Sequence, residues 1–274
     1  MATELASNLI TLYDPIVKQL YQAKGFALAG SVRTKSGEGK TFKFPVFGKL
    51  TAEERVIGSK VVFQNASQTQ AELTVKNWTV VSPTDMFEQT QVNYDDLNEH
   101  AMAQAMACGR RSDQLIIDAL GAATISKQVA VGTTGLSVAK IASAGYELDK
   151  DGVPMEDRYF VAHVRGKQDL LGEEKATSGD YMNIKALVRG DIDTFYGFKF
   201  IWLPDMVEGG LPKSSTTRTN FAYHKQAVGY GQSMEVKSRR DWSVDYQSDV
   251  ISTSFAANAC VIDATGIVKV LTKE

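Results

Sequence analysis

The sequence predicts an α+β fold on three observations. Apolar and polar residues alternate through 41–81, one long helical pattern occupies 94–120, and the C-terminal stretch is rich in strand-forming residues. The length of 274 residues corresponds to one large or two small domains at ~150 residues per domain. A chain of this size buries about 75% of its unfolded surface without staples. Hydrophobic residues make up 43% and charged residues 23%, a globular composition. Thirty basic against 32 acidic residues leave a net charge of −2, which argues against a dedicated polyanion binder. Cys108 and Cys260 match no metal or redox spacing and read as reduced packing residues. No apolar run approaches the ~18 residues of a membrane span. Met1-Ala2-Thr3-Glu4 lacks the start of a signal peptide. A soluble, non-secreted protein is expected.

In chain order, Asp14-Pro15 starts a short helix, with Asp as N-cap and Pro at the first helical position, and Gly25 stops it. The polar, glycine-rich stretch from Gly30 to Lys40 reads as mobile or draped. In Thr41–Phe47, alternation sets Phe42, Phe44 and Val46 on one side, and Pro45 marks an edge strand or bulge. A charged stretch from Lys49 to Arg55 and the apolar run Val61-Val62-Phe63 follow. Ala71, Leu73, Val75 and Val81 then alternate with Glu72, Thr74, Lys76 and Trp78. Residues 41–81 thus read as one long two-sided ribbon. A lone hairpin is marginal in water, so this ribbon is expected to leave its own globule and rest on a partner subunit.

Asn93 caps a helix from Tyr94 to Leu120, with Asp95, Asp96 and Glu99 at its positive end. Leu97, Ala101, Ala105, Cys108, Leu115 and Ala119 share one face, and Gly121 ends the helix. At ~1.5 Å per residue the rod is about 40 Å long, suited to a strut. Ser137 caps a helix through Val138, Ile141 and Leu148, and residues 149–154 carry turn chemistry. Arg158–Val164 reads as a strand, Gly172–Asp180 as a surface loop, and Phe195–Pro204 as an apolar strand broken by one glycine. Ala259–Asp263 and Gly266–Leu271 read as a turn-linked strand pair.

No arrangement of residues reads as an active site. Gly37-Glu38-Gly39-Lys40-Thr41 lacks the earlier glycine of a phosphate loop, and Thr41 opens an extended run rather than a helix. His100, His163 and His224 lack the spacing of a zinc site. Glu53-Glu54, Asp95-Asp96, Glu173-Glu174 and Asp191/Asp193 read as solvated faces. Lys237-Ser238-Arg239-Arg240 is basic but short and flanked by acids, which allows only weak, non-specific contact with nucleic acid. No catalytic, cofactor-binding or metal residue is assigned. Charge is unevenly distributed: residues 1–80 carry ten basic and six acidic groups, and 81–120 carry two and seven. A positive ribbon beside a negative strut suits head-to-tail docking of subunits, as it also suits contact within one chain.

The order of these parts resembles the major capsid protein family of tailed bacteriophages, with the Hong Kong 97-type fold. The passage from Leu73-Thr74-Val75 through Asp95-Asp96-Leu97 to Leu120 is similar to that family's extended loop and spine helix. Arg158–Val161, Leu170-Leu171, Gly190-Asp191-Ile192 and Tyr196–Ile201 resemble its central strand and hairpin. Phe221–Gly229 is similar to its aromatic-x-His-x-x-Ala-Val turn, while Phe255-Ala256-Ala257-Asn258 departs where relatives often place a glycine. The resemblance implies an N-terminal arm over 1–40 and an extended β-hairpin loop over 41–81. It implies a peripheral domain of 82–121 and 221–274, including the spine helix, and an axial domain of 122–220. It also implies pentamers and hexamers of this chain in an icosahedral shell, assembled in the host bacterial cytoplasm around double-stranded DNA. A separate scaffolding protein, a portal and a decoration protein are the implied partners, with no membrane, cofactor or enzymatic activity. Lys49, Glu53, Glu54, Arg55 and Trp78 are the candidate inter-subunit contacts. Alternatives are a tail-tube subunit or an encapsulin-like nanocompartment shell, with a nucleotide-handling enzyme a more distant third.

Overall fold

The computed structural model describes residues 25–61, 63–85, 87, 96–172 and 194–274. The helix expected after Asp14-Pro15, the Asn93 cap, the pairs Glu173-Glu174 and Asp191/Asp193, and Gly190-Asp191-Ile192 lie outside these residues. Strands β1 (Arg33–Ser36), β2 (Thr41–Phe47), β3 (Gln68–Thr74) and β4 (Lys76–Asp85) precede helix α1 (Asp96–Ala122). Next come β5 (Gln128–Val129), α2 (Val138–Lys150), β6 (Arg158–His163), α3 (Val164–Leu171), β7 (Thr194–Phe195) and β8 (Phe198–Leu203). The chain continues through β9 (Lys213–Ser214), β10 (Thr217–His224), β11 (Val228–Ser243), β12 (Ser248–Val261) and β13 (Ile267–Lys273).

Three sheets form. One runs β1-β11-β12-β4, a second runs β5-β13-β10-β6-β8-β7 with β9 against β10, and β2-β3 is a separate two-stranded hairpin. The central strands of the second sheet, β6 and β10, are buried on both faces. Phe221, Tyr223 and Val161 point into one core with Leu115, Ile116, Ile117 and Leu120 of α1, while Ala222, Phe160 and Ala162 point into another with Ile141, Ala144 and Leu148 of α2. Tyr230, Phe255 and Ala257 of the first sheet complete the α1 core, so the helix sits where the two sheets meet. Burial of this many large side chains, each contributing ~1.5–3 kcal/mol, is the main cohesive force. A buried Arg218 on β10 anchors one edge: its Nη2 donates to Glu274 Oε2 at 3.0 Å, and Nη1 and Nη2 reach Asp205 Oδ1 at 3.2 and 3.1 Å. Lys213 Nζ lies 2.9 Å from the same Glu274 oxygen.

Helix α1 carries a partly polar buried face, so its apolar spacing alone misplaces the contact. Ala105, expected on that face, is exposed, whereas Gln104, Ser112 and Asp113 are buried. Gln104 Nε2 donates to Ile251 O at 3.0 Å and its Oε1 accepts from Thr253 at 2.7 Å, which fastens helix to sheet. Asp113 accepts from the amides of Ala27 and Leu28, both at 3.0 Å. Phe26 N donates to Gly109 O at 3.0 Å, and Ser31 Oγ sits 2.6 Å from the Tyr223 hydroxyl. Gly25 approaches so closely, with φ +72°, that a Cβ there would stand 2.1 Å from the backbone nitrogen of Arg110. At the other end, Lys269 Nζ donates to Gly121 O (3.0 Å) and Ala123 O (3.2 Å), capping the negative terminus.

Several expectations are corrected. Residues 33–36, read as draped, form β1 in parallel register with Gly229–Gln232, because sheet pairing supplies the order their side chains do not. Phe195–Leu203 is a hairpin, not a single broken strand, turning at Tyr196-Gly197, where both residues have positive φ. Strands β12 and β13 do not pair with each other: the chain changes sheets at the 3-10 turn Ala264–Gly266, so β12 lies between β11 and β4 while β13 joins β10 and β5. The Ser137 cap and the turn at 149–154 are as expected, with Lys140 N donating to Ser137 Oγ.

Candidate assembly interface

The hairpin is seated at its base and free at its tip. Strands β2 and β3 pair from Thr41↔Thr74 to Phe47↔Gln68, and Gly48 N closes on Ser67 O at 2.7 Å. Phe42, Phe44 and Leu73 form a small buried cluster with Ala71, Val75, Cys260 and Ile262. Gly231 permits this seat: a Cβ there would stand 2.3 Å from Leu73 Cδ2 and 2.8 Å from Phe42 Cδ2. The expected single ribbon over 41–81 is therefore divided at Val75. Residues 41–47 and 68–74 rest on their own sheet, residues 76–85 join β12, and only 48–67 project. Alternation is the same whether a strand's apolar face meets its own sheet or a neighbour, which is why the pattern alone misassigned the base.

Beyond Gly48 the legs carry few backbone hydrogen bonds. Thr51 N donates to Gln64 Oε1 at 3.2 Å, Gln64 Nε2 donates to Glu53 Oε1 at 2.8 Å, and Val56–Ser59 closes the turn with Ser59 N to Val56 O at 3.0 Å. Phe47, Leu50, Val56 and Val61 are exposed, as are Ile57 and Phe63 at 101% and 90%. A run of exposed apolar side chains on one projection marks an interaction surface.

The five sequence-predicted residues separate into three groups. Glu54 and Arg55 are exposed on the projection and have no partner among the described residues. Glu53 braces the legs through Gln64, and Lys49 stands at the foot, in the field of Asp151. Trp78 is not on the projection. It is half-buried on β4 against the α1 core, its Nε1 donates to Ala257 O at 3.3 Å, and the Arg111 guanidinium lies 3.8 Å from its ring centroid. Sequence reasoning selected the charged residues Lys49, Glu53, Glu54 and Arg55 as the loop tip and missed Ile57 and Phe63 as contacts. The usable signal was apolar residues in a stretch with no helical or strand period.

A cleft of about 1160 Å³ separates the hairpin base from the 151–157 loop and the 224–227 turn. Three of its four carboxylates are committed: Asp151 pairs with Lys127 at 2.6 Å, Asp157 with Lys199 at 2.8 Å, and Asp263 accepts from Thr265 N at 2.9 Å, while Glu156 is the fourth. Gly37–Lys40 forms the turn from β1 to β2, with no helix after Thr41. Among the described residues no group of three or more His, Cys, Asp or Glu could hold a metal ion, and no helix is long and apolar enough to cross a membrane. Burial pushes the Cys260 thiol up to about 11 and raises that of Cys108, the opposite of nucleophile activation. Burial, with the nearby Arg218, lowers His163 despite the carboxylate of Glu274, and burial lowers His224.

A phage capsid protein family model matches residues 5–274. No curated protein sequence matches the chain. Among solved structures, the chain is similar to one of Mycobacterium phage Che8, at 20% identity and a TM-score of 0.75, covering 96% of this chain and 97% of that one. It is similar to the head structure of Helicobacter pylori bacteriophage KHP40, at 10% identity and a TM-score of 0.79, covering 97% and 96%. It is also similar to the capsid structure of cyanophage P-SCSP1u, at 15% identity and a TM-score of 0.74, covering 100% and 96%.

Proposed function

The chain belongs to the phage capsid protein family, a component of the virion shell that assembles with itself, and on that premise we propose how it does so. It is the major capsid subunit of a tailed phage and closes as pentamers and hexamers into an icosahedral shell around double-stranded DNA. The exposed apolar tip of residues 48–67 carries this reading. A projection with Ile57 and Phe63 in solvent has no stable place in an isolated subunit, and lying across a neighbour removes that surface from water. Each contact is modest, but repetition over a closed lattice multiplies it.

In this reading 1–40 is the arm, the hairpin of 41–75 the extended loop, 76–121 with 221–274 the peripheral domain around the long helix, since β4 pairs with β12, and 122–220 the axial domain at the capsomer centre. Lys49, Glu53, Glu54 and Arg55 set the register of the tip on the neighbour, and Trp78 supports the strand from which the loop returns. Assembly takes place in the bacterial cytoplasm with a separate scaffolding protein and a portal, and a decoration protein can bind the finished shell. The subunit performs no catalysis.

Reversing charge at Glu54 and Arg55 together tests the contact. Particle yield by sedimentation and negative-stain microscopy should fall several-fold while the melting temperature of the unassembled subunit stays within about 2 °C, as for surface changes of under ~0.5 kcal/mol. Normal particle yield would count against the tip as a contact. Tubes or rings from the unaltered chain would replace the shell with a tail-tube reading.

A further inference from the structure

His163 ends β6 and caps α3, and its Nδ1 meets two groups that one protonation state cannot serve. The Arg165 amide donates to Nδ1 at 3.3 Å, which requires a lone pair there. That amide belongs to the first turn of α3, where the helix itself offers no acceptor. Glu274 Oε1 lies 3.0 Å from the same nitrogen. An ionised carboxylate only accepts, so this contact requires a proton on Nδ1. The two side chains are 13% and 7% exposed, which leaves little room for water to serve either group instead. Arg218 of β10 and Lys213 of β9 hold the carboxylate in place, with Arg218 Nε 2.7 Å from Oε1 and Lys213 Nζ 2.9 Å from Oε2. Asp205, after β8, accepts from Arg218. Among the described residues, two cations and two carboxylates thus face His163. Burial and then Arg218 hold the imidazole below the ordinary histidine range, Lys213 adds to that, and Glu274 and Asp205 oppose it. With its carboxyl held down at about 2, Glu274 stays ionised while His163 titrates.

We propose that His163 is a proton-operated switch between two contacts: neutral, its Nδ1 caps α3 through Arg165 N; protonated, it donates to Glu274 and lets the cap go. The proton comes from solvent, and the neutral ring carries its single N–H on Nε2. Both settings act on one neighbourhood. Lys273 N, next to Glu274, donates to Thr134 O at 3.2 Å. Asp169 of α3 accepts from Leu136 N at 3.2 Å. Gly166 of α3 packs so near Leu136 that a Cβ there would stand 2.8 Å from its Cδ2. Residues 134–136 lead into α2 through its cap, Ser137. Acid therefore trades the hold on the start of α3 for one on the end of β13, and the segment before α2 is attached to both. The switch stands whether or not the chain builds a shell.

The test is a pH titration of the unassembled full chain by NMR, following the imidazole nitrogens of His163 and the amide of Arg165. Near neutral pH Nδ1 should carry no proton. On acidification it should gain one with a midpoint below the ordinary value of about 6.5, and the Arg165 amide proton should move upfield with the same midpoint. Glu274→Gln removes the charge that favours the imidazolium, so the His163 midpoint should fall further. The midpoint of His224, which makes a similar cap through Gln226 N at 3.3 Å, should stay in place. His163→Asn keeps a capping oxygen without a titrating group, and should abolish the pH response of Arg165. A proton on Nδ1 at neutral pH, or an Arg165 amide that does not move through the His163 titration, overturns the proposal. So does an unmoved midpoint in Glu274→Gln, or an Arg165 response that survives in His163→Asn. The unaltered chain decides the first two points without either variant.

Discussion

Glu274 shows what a single buried group contributes. Its burial disfavours the charged form, but hydrogen bonds from Arg218 and Lys213 outweigh that cost and hold the carboxyl down at about 2. A glutamate lowered on folding contributes stability that is complete above the ordinary glutamate range and is lost as pH falls toward about 2. Glu274→Gln should therefore unfold at lower urea than the unaltered chain near neutral pH, and the gap should close as acid protonates Glu274. A gap of equal size in strong acid would show that the pairing is not ionic. Nothing in the local sequence around Glu274 marks this role, since its partners at Arg218 and Lys213 are distant in the chain and meet only through the β10–β13 register. Trp78 fails for the same reason: an exposed and a helix-covered aromatic look alike in an alternating strand, and the covering Arg111 comes from α1.

Among elements, those held by local chemistry were legible. The cap at Ser137, the strand at Arg158–His163, the edge strand carrying Pro45 and the long helix all follow from spacing and turn residues. Pairing between sheets was not, because Ala259–Asp263 and Gly266–Leu271 satisfy a turn-linked pattern equally well when the chain steps into a second sheet. The Tyr196-Gly197 turn likewise needed two left-handed residues, a demand that a tyrosine does not advertise. The seat of the hairpin on β11 turns on the space at Gly231. Gly231→Val should displace Leu73 and Phe42, lower stability by about 1–3 kcal/mol, and speed proteolysis within 48–67. Unchanged thermal melting and cleavage would mean that the base does not depend on that contact.

At the scale of the molecule, the described residues form two sheets around α1, and the projection beyond Gly48 keeps Ile57 and Phe63 in water. The α+β class and the order of parts could be read in advance. The division of residues 41–81 into a seated base and a free tip could not, because a single strand period spans both. The central claim is that the tip completes its burial on a second copy of the chain. An electron cryomicroscopy map of assembled particles tests this most directly. It should show Ile57 and Phe63 covered by the adjacent subunit, with Glu54 and Arg55 paired across the contact. A closed shell in which residues 48–67 stand free in solvent, or fold back onto their own subunit, would contradict it.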